Sequence, residues 1–156
     1  MGLFDKVKSM KDAVTGGGAK VFAQAEAPVL GQPFTVTITA SSTGADVKYD
    51  RVYLKVRGIE YIDMHDNVSF SHDGQSHNKS VHIKKSTTTF EQEFNVAPAG
   101  VLPGSATEGW TIDVQLPENA MPSFRGRYAR HYYAIFAGLD CFGNDPDSGW
   151  IELHMQ

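Results

Sequence analysis

Cysteine is almost absent from this sequence: Cys141 is the single one among 156 residues. One cysteine cannot form an internal disulfide, so the folded state must be stabilised by packing. Cys141 is followed by Phe142 and Gly143 without a neighbouring base in the sequence. A reactive thiol needs an electropositive setting. We therefore expect Cys141 to be structural.

Long apolar runs and a strong charge of either sign are also missing. No segment approaches the ~20 apolar residues needed to cross a bilayer, and no signal-peptide core precedes a cleavage site. The net charge of −4 and pI near 5.8 give no general electrostatic reason to bind nucleic acid or an acidic membrane. With 41% hydrophobic and 21% charged residues, the composition is that of an ordinary globular protein. These features predict a single cytoplasmic domain with no nucleic-acid partner.

The sequence also lacks the short motifs of common catalytic sites. There is no G-x-S-x-G elbow for a nucleophilic serine, and neither G-x-x-x-x-G-K-[ST] nor G-x-G-x-x-G occurs. The glycine run at residues 16–18 lacks the preceding strand that a phosphate-binding loop requires. We expect no cofactor and no enzymatic activity.

What is present begins with one helical pattern, over residues 2–14. Apolar residues recur there every three to four positions among lysines, and the glycine run then ends the helix. We assign residues 1–18 to this amphipathic helix with its glycine linker and residues 19–156 to one domain. The helix either packs on its own domain or a neighbouring subunit, or binds a partner or a membrane surface reversibly. The candidate partner-binding residues in it are Leu3, Phe4, Val7 and Met10.

From Lys20 onward the pattern is that of β-strands. Apolar residues alternate with threonines over residues 34–40, and Val52, Leu54 and Val56 share one face of a strand predicted over residues 47–62. We expect residues 63–79 to form a loop with Asp73-Gly74 as a hairpin tip. Polar strands through residues 81–83 and 90–96 follow. Residues 97–109 are predicted to be a long connection.

The most specific stretch runs from Trp110 to Asp140. Its first strand ends in Leu116-Pro117, a proline linker leads to Pro122-Ser123 and a glycine, and a tyrosine-rich strand with a Tyr-x-Ile triplet follows. This progression resembles the corresponding part of arrestin-like domains. The resemblance implies an all-β, arrestin-like (immunoglobulin-like) antiparallel β-sandwich, preceded here by the short N-terminal helix.

Both ends of the sequence add to this resemblance. The lysine-bearing helix followed by glycines and Ala19-Lys20-Val21 is similar to the start of bacterial sporulation-control proteins, a branch of the arrestin-like clan. The end of the sequence is also similar to this branch, in the segment where Asp145-Pro146-Asp147-Ser148 precedes Trp150-Ile151-Glu152. Members of this family usually carry two such lobes, and this chain has room for a single lobe.

Four histidines lie in one region together with three aspartates, Asp63, Asp66 and Asp73. Imidazoles and carboxylates are the ligands of zinc and related ions, although these spacings match no known zinc motif. The alternative is that they are solvated residues of a hairpin. The candidate ligands are His65, His72, His77 and His82.

Three arginines among tyrosines form the remaining candidate binding site: Arg125, Arg127 and Arg130. Arginine beside tyrosine can hold phosphate or stack on a planar group. Strand alternation, however, places Arg127 with His131 and Tyr133 on one face and Arg130 on the other. The alternative role of these arginines is to keep the tyrosines of an outer face soluble.

Two functions from different classes follow. The first is a non-enzymatic interaction or regulatory module that binds protein partners through strand edges, loops or the N-terminal helix. The second is a small metal- or ligand-binding β-protein, enzymatic or not, that uses the histidine-rich region at residues 65–82. Self-assembly into a homo-oligomer through strand edges is a third alternative.

Overall fold

The computed structural model describes residues 18–155, and this range folds into eight β-strands without a helix. These residues therefore include no helix that could cross a membrane. The helix predicted over residues 2–14 lies outside the described residues. The strands are β1 (Ala19–Ala25), β2 (Phe34–Ser42), β3 (Val47–His72), β4 (Gln75–Leu102), β5 (Thr107–Val114), β6 (Phe124–Arg125), β7 (Ala129–Asp140) and β8 (Ile151–Leu153).

The strands form two antiparallel sheets that pack on each other as a β-sandwich. The smaller sheet has the order β1-β2-β5, and the larger has the order β4-β3-β7-β6 with β8 also paired to β7. Every pairing between strands is antiparallel. The predicted all-β antiparallel class is confirmed.

The core lies between the sheets and follows the alternation of the sequence. In β2, buried positions alternate with half-buried ones along the whole strand. Val52, Leu54 and Val56 of β3 are fully buried, as their shared face predicts. Because successive side chains in a strand point to opposite faces, β2 and this part of β3 contribute every second residue to the core. β7 adds Tyr133, Ile135, Ala137 and Leu139.

The prediction of a loop at residues 63–79 is wrong. β3 continues to His72 and β4 begins at Gln75, so the two strands form one long hairpin. The tip at Asp73-Gly74 is confirmed, and both residues have positive φ, 50° and 75°. A two-residue turn of this kind matches the right-handed twist of the flanking strands, so it propagates the ladder on both sides.

The long connection predicted over residues 97–109 is also wrong. β4 runs to Leu102, which pairs with Val47, and β5 begins at Thr107. Only four residues, 103–106, connect the two strands. Pro98 does not interrupt β4, because β4 is the edge strand of its sheet and proline is tolerated at an edge.

His131 ties the proline linker of residues 115–123 to the core of the larger sheet. Its side chain is 1% exposed, and Nδ1 lies 3.1 Å from the carbonyl oxygen of Pro122. Because a carbonyl oxygen only accepts, Nδ1 carries the proton, and Nε2 accepts a bond from the Thr89 hydroxyl at 2.7 Å. Thr89 is available for this bond because it lies unpaired at the irregularity opposite Gly58 and Ile59. One neutral imidazole thus joins β4, β7 and the linker.

We expect the stability of the protein to fall as His131 becomes protonated. Burial lowers the pKa of His131, although the Pro122 carbonyl and Glu60 oppose this effect. The unfolded chain therefore binds the proton more readily than the folded chain does. The stability that neutral His131 contributes is fully present above the ordinary imidazole pKa of about 6.5 and declines as the pH falls below it.

Urea unfolding at neutral pH and near pH 5 measures this decline. His131→Gln should remove part of the pH dependence. The control is His72→Gln, a substitution of an exposed residue at the hairpin tip, which should lose stability at low pH as the wild type does. Equal slopes for wild type and His131→Gln would contradict the assignment.

Candidate functional site on the long hairpin

The β3–β4 hairpin extends beyond the rest of the larger sheet. The last residue of β3 that pairs with β7 is Ile62, opposite Ala129. We call residues 63–84 the ribbon, since β3 and β4 there pair only with each other among the described residues. Ten residues of β3 at ~3.3 Å each make the ribbon about 33 Å long. A two-stranded ribbon by itself is marginally stable in water.

The two faces of the ribbon differ in chemistry. The outer face, continuous with the solvent side of the larger sheet, is entirely polar. The inner face continues the core side of the sheet and carries five apolar residues among polar ones, with Val68, Phe70 and Ile83 between 45% and 49% exposed. The outer residues are Asp63, His65, Asn67, Ser69, Ser71, Ser76, Asn78, Ser80, His82 and Lys84. The apolar inner residues are Met64, Val68, Phe70, Val81 and Ile83.

Three potential metal ligands meet at the base of the outer face: Asp63, His65 and His82. Their donor atoms lie within 4.8 Å of one another. His65 and His82 are direct cross-strand partners with stacked rings, 3.9 Å between centroids. Asp63 shares the face of His65 because the two residues are two positions apart in β3. The Nε2 atom of His82 donates to Oδ1 of Asp63 at 2.6 Å.

Asp63 is held in place by bonds to three other residues. Besides the bond from His82, the Tyr61 hydroxyl donates to its Oδ2 at 3.0 Å. Its backbone N–H donates to the carbonyl oxygen of Tyr128 at 2.8 Å, where the chain enters β7. The hydrogen bonds from His82 and Tyr61 lower the pKa of the Asp63 carboxyl, and the positive charge of Lys84 acts in the same direction. The carboxyl group is therefore ionised at neutral pH and available as a ligand.

The other two candidate histidines do not join this cluster. His72 lies beside the tip, with Nε2 3.3 Å from Oδ2 of Asp73. His77 is on the inner face, where its ring stacks on Phe70 at 5.5 Å between centroids. Alternation therefore divides the four predicted ligands between the two faces, and a single site with all four is ruled out by this geometry.

The three candidate arginines lie next to the base of the ribbon. Arg125 and Arg130 are cross-strand partners in β6 and β7, while Arg127 lies in the turn between these strands. Arg130 stacks over Tyr61 and Tyr132, 5.4 and 4.6 Å from the ring centroids, and lies 3.7 Å from the Glu152 carboxylate.

The stacking of the arginines supports the solubilising role for them. The guanidinium of Arg127 lies over the ring of Tyr128, 5.1 Å from its centroid. The predicted separation of faces holds for the core residues, because His131 and Tyr133 are buried while Arg130 is half-buried on the outer face. Together with Tyr61 and Asp63, the arginines line an open cleft of about 230 Å³.

The pairing of His65 with His82 was within reach of the sequence. Across the two-residue turn at Asp73-Gly74, His72 pairs with Gln75, and each step back along β3 is matched by one step forward along β4. This register pairs His65 with His82, and Asp63 lies on the same face two positions before His65. The loop predicted over residues 63–79 excludes this pair, because polar residues there conceal the alternation of a strand.

The two sheets and their pairing define the chain as an antiparallel β-sandwich. Among solved structures it is similar to the crystal structure of Spo0M, a sporulation control protein from Bacillus subtilis, with a TM-score of 0.60 and 17% sequence identity. The match covers 90% of this chain and 50% of that chain, so this chain spans about half the length of Spo0M. The resemblance to sporulation-control proteins is thereby confirmed for the fold.

A second solved structure is matched more weakly. It is the solution structure of a putative late embryogenesis abundant protein, with 10% sequence identity and a TM-score of 0.33. The match covers 97% of this chain and 87% of that protein's chain. A score this low carries no argument about fold or function. No protein-family model and no curated protein sequence matches the chain.

Proposed function

We propose that this protein is a non-enzymatic interaction module with an arrestin-like fold, which binds a protein partner through the inner face of the ribbon. The observation that carries the proposal is the row of exposed apolar side chains on a strand pair that extends beyond its own sheet. Contiguous exposed apolar residues are typical of interaction sites, whereas scattered ones are ordinary. Val68 and Phe70 lie on the same face of β3, two residues apart, and Ile83 is on that face of β4.

The backbone of the ribbon supports the same role. β4 is the edge strand of the larger sheet along its whole length, and within the ribbon β3 has no second neighbour among the described strands. Free edges offer main-chain donors and acceptors to an extended partner segment, and side-chain pockets beside them add specificity. One extended partner segment therefore contacts the apolar stripe with its side chains and pairs with an open edge through its backbone.

Charged residues on the inner face specify the chemistry of the partner. Asp66 interrupts the stripe on β3 and Lys79 interrupts it on β4, while Lys85 flanks it just outside the ribbon. Charges of both signs within and beside an apolar stripe favour a partner segment that has apolar residues together with both charges. Such a segment pairs in one orientation, since reversing it brings like charges together.

Affinity capture with matched variants tests the proposal. We expect Val68→Ser with Phe70→Ser to abolish the capture of specific proteins from the native cell. Asn67→Ala with Ser69→Ala changes the outer face of the same four residues and should leave capture unchanged. Capture of the same proteins by both variants would refute docking on the inner face. Light scattering of the purified protein identifies the case in which the partner is a second copy of the chain.

A further inference from the structure

The geometry points to a binding site for one divalent transition-metal ion of the zinc class at Asp63, His65 and His82. This inference goes beyond the proposed function, because the cluster lies on the outer face of the ribbon and the docking stripe on the inner face. Donor atoms around a shared zinc ion lie at about 2.0–2.2 Å from it. Three donors already within 4.8 Å of one another reach such an ion by rotation of exposed side chains.

The donor types select the class of metal. Two imidazoles with one carboxylate suit zinc, nickel or copper, whereas calcium and magnesium prefer sites made of oxygen ligands alone. Three protein ligands leave at least one position of the ion for water or for a ligand from another molecule. The imidazole of His82 is 45% exposed and the Asp63 carboxylate 41% exposed, so an ion reaches the cluster directly from solvent.

The surroundings of the ligands prepare them for this role. The cross-strand pairing fixes the two imidazoles side by side, and the backbone bond from Asp63 to Tyr128 anchors the base of the ribbon to β7. The Tyr61 hydroxyl orients the carboxylate, as an outer-shell partner does in metal sites. The ligands therefore need little rearrangement to bind an ion, because folding of the hairpin already holds them close together.

Two features oppose binding and limit its strength. The ion must displace the proton that His82 Nε2 shares with Asp63, and it must tolerate Lys84, which pairs directly with Asp63 across the hairpin. A positive charge beside the site repels a divalent cation. We therefore expect an affinity weaker than that of closed four-ligand structural sites, with one ion bound per chain.

Calorimetric titration of the tag-free full chain with zinc chloride tests the site. We expect saturable binding of one equivalent, weakened more than about 100-fold by His65→Ala or His82→Ala and about 10-fold by Tyr61→Phe. His72→Ala with His77→Ala should leave the affinity unchanged, because these histidines lie outside the cluster. Circular dichroism of each variant checks that these exposed changes leave the fold intact.

A spectroscopic titration gives an independent readout. Cobalt(II) bound by the wild type should show visible absorption bands that Asp63→Asn changes and His82→Ala removes. Absence of saturable zinc binding, or binding lost with His72 and His77 rather than with His65 and His82, overturns the assignment. Neither result affects partner capture, so the metal site and the docking face fail separately.

Discussion

Tyr133→Ala is expected to lower the free energy of unfolding by about 3–5 kcal/mol, the cost typical of truncating a large buried aromatic side chain. Tyr133 is 0% exposed, and its ring meets Phe90 and His131 edge-on, at 6.3 and 5.0 Å between centroids. Its hydroxyl donates to the carbonyl oxygen of Met121 at 2.7 Å, so the side chain holds the linker as well as the core. Urea unfolding followed by circular dichroism measures the change.

Tyr133→Phe separates the two roles of this residue. It keeps the ring and removes the donor, so the hydrogen bond to the Met121 carbonyl is lost at a cost of about 0.5–1.5 kcal/mol. The alanine variant should therefore be the less stable of the two. A loss below 1 kcal/mol for Tyr133→Ala would contradict the packing of this part of the core.

Gly58→Ala is expected to destabilise the protein by about 1–3 kcal/mol through overpacking. Gly58 lies at the root of the long hairpin, beside the irregularity in the pairing of β3 with β4. A Cβ atom there would lie 2.7 Å from Oγ1 of Thr89, 2.9 Å from Cε1 of Tyr133 and 3.2 Å from Cβ of Phe90. None of these atoms is the free end of a flexible chain, because the Thr89 hydroxyl is bonded to His131 and Tyr133 is buried.

Gly109→Ala provides the matched control. Gly109 is also a strand glycine, in β5, but an added Cβ there has the Ile38 carbonyl oxygen at 3.7 Å as its nearest neighbour, an ordinary contact. Alanine lowers the conformational entropy of the unfolded chain, and this stabilises the variant by about 0.4–1 kcal/mol. Urea unfolding of both variants should give changes of opposite sign, and a stabilised Gly58→Ala would show that the hairpin root is loosely packed.

The root of the hairpin links the stability of the core to the position of the ribbon. Thr89, Tyr133 and Phe90 pack around Gly58, His131 bonds to Thr89, and the ribbon begins five residues further along β3 at Asp63. Outer-face ion pairs such as Arg57 with Glu91, 3.3 Å apart, lie next to this root but contribute little, because exposed pairs are screened by solvent. We therefore expect packing at the root to influence the direction of the ribbon, and with it the position of the proposed docking face and metal site.

The sequence by itself determined the class of the fold and the faces of its strands. Alternation in β2 and around Val52, Leu54 and Val56 identified core positions, because strand geometry sends successive side chains to opposite sides. Asp73-Gly74 identified the hairpin tip, because few residues adopt positive φ at both turn positions. These features are local, and local chemistry is sufficient to specify them.

Only the tertiary structure decided which of these faces are covered. Val68 and Phe70 alternate with polar residues as core residues do, yet they are exposed because β7 pairs no further along β3 than Ile62. Asp63 and His82 are 19 residues apart and meet because a continuous ladder brings them together. Burial and convergence depend on where neighbouring strands end, and no single segment of the sequence contains that information.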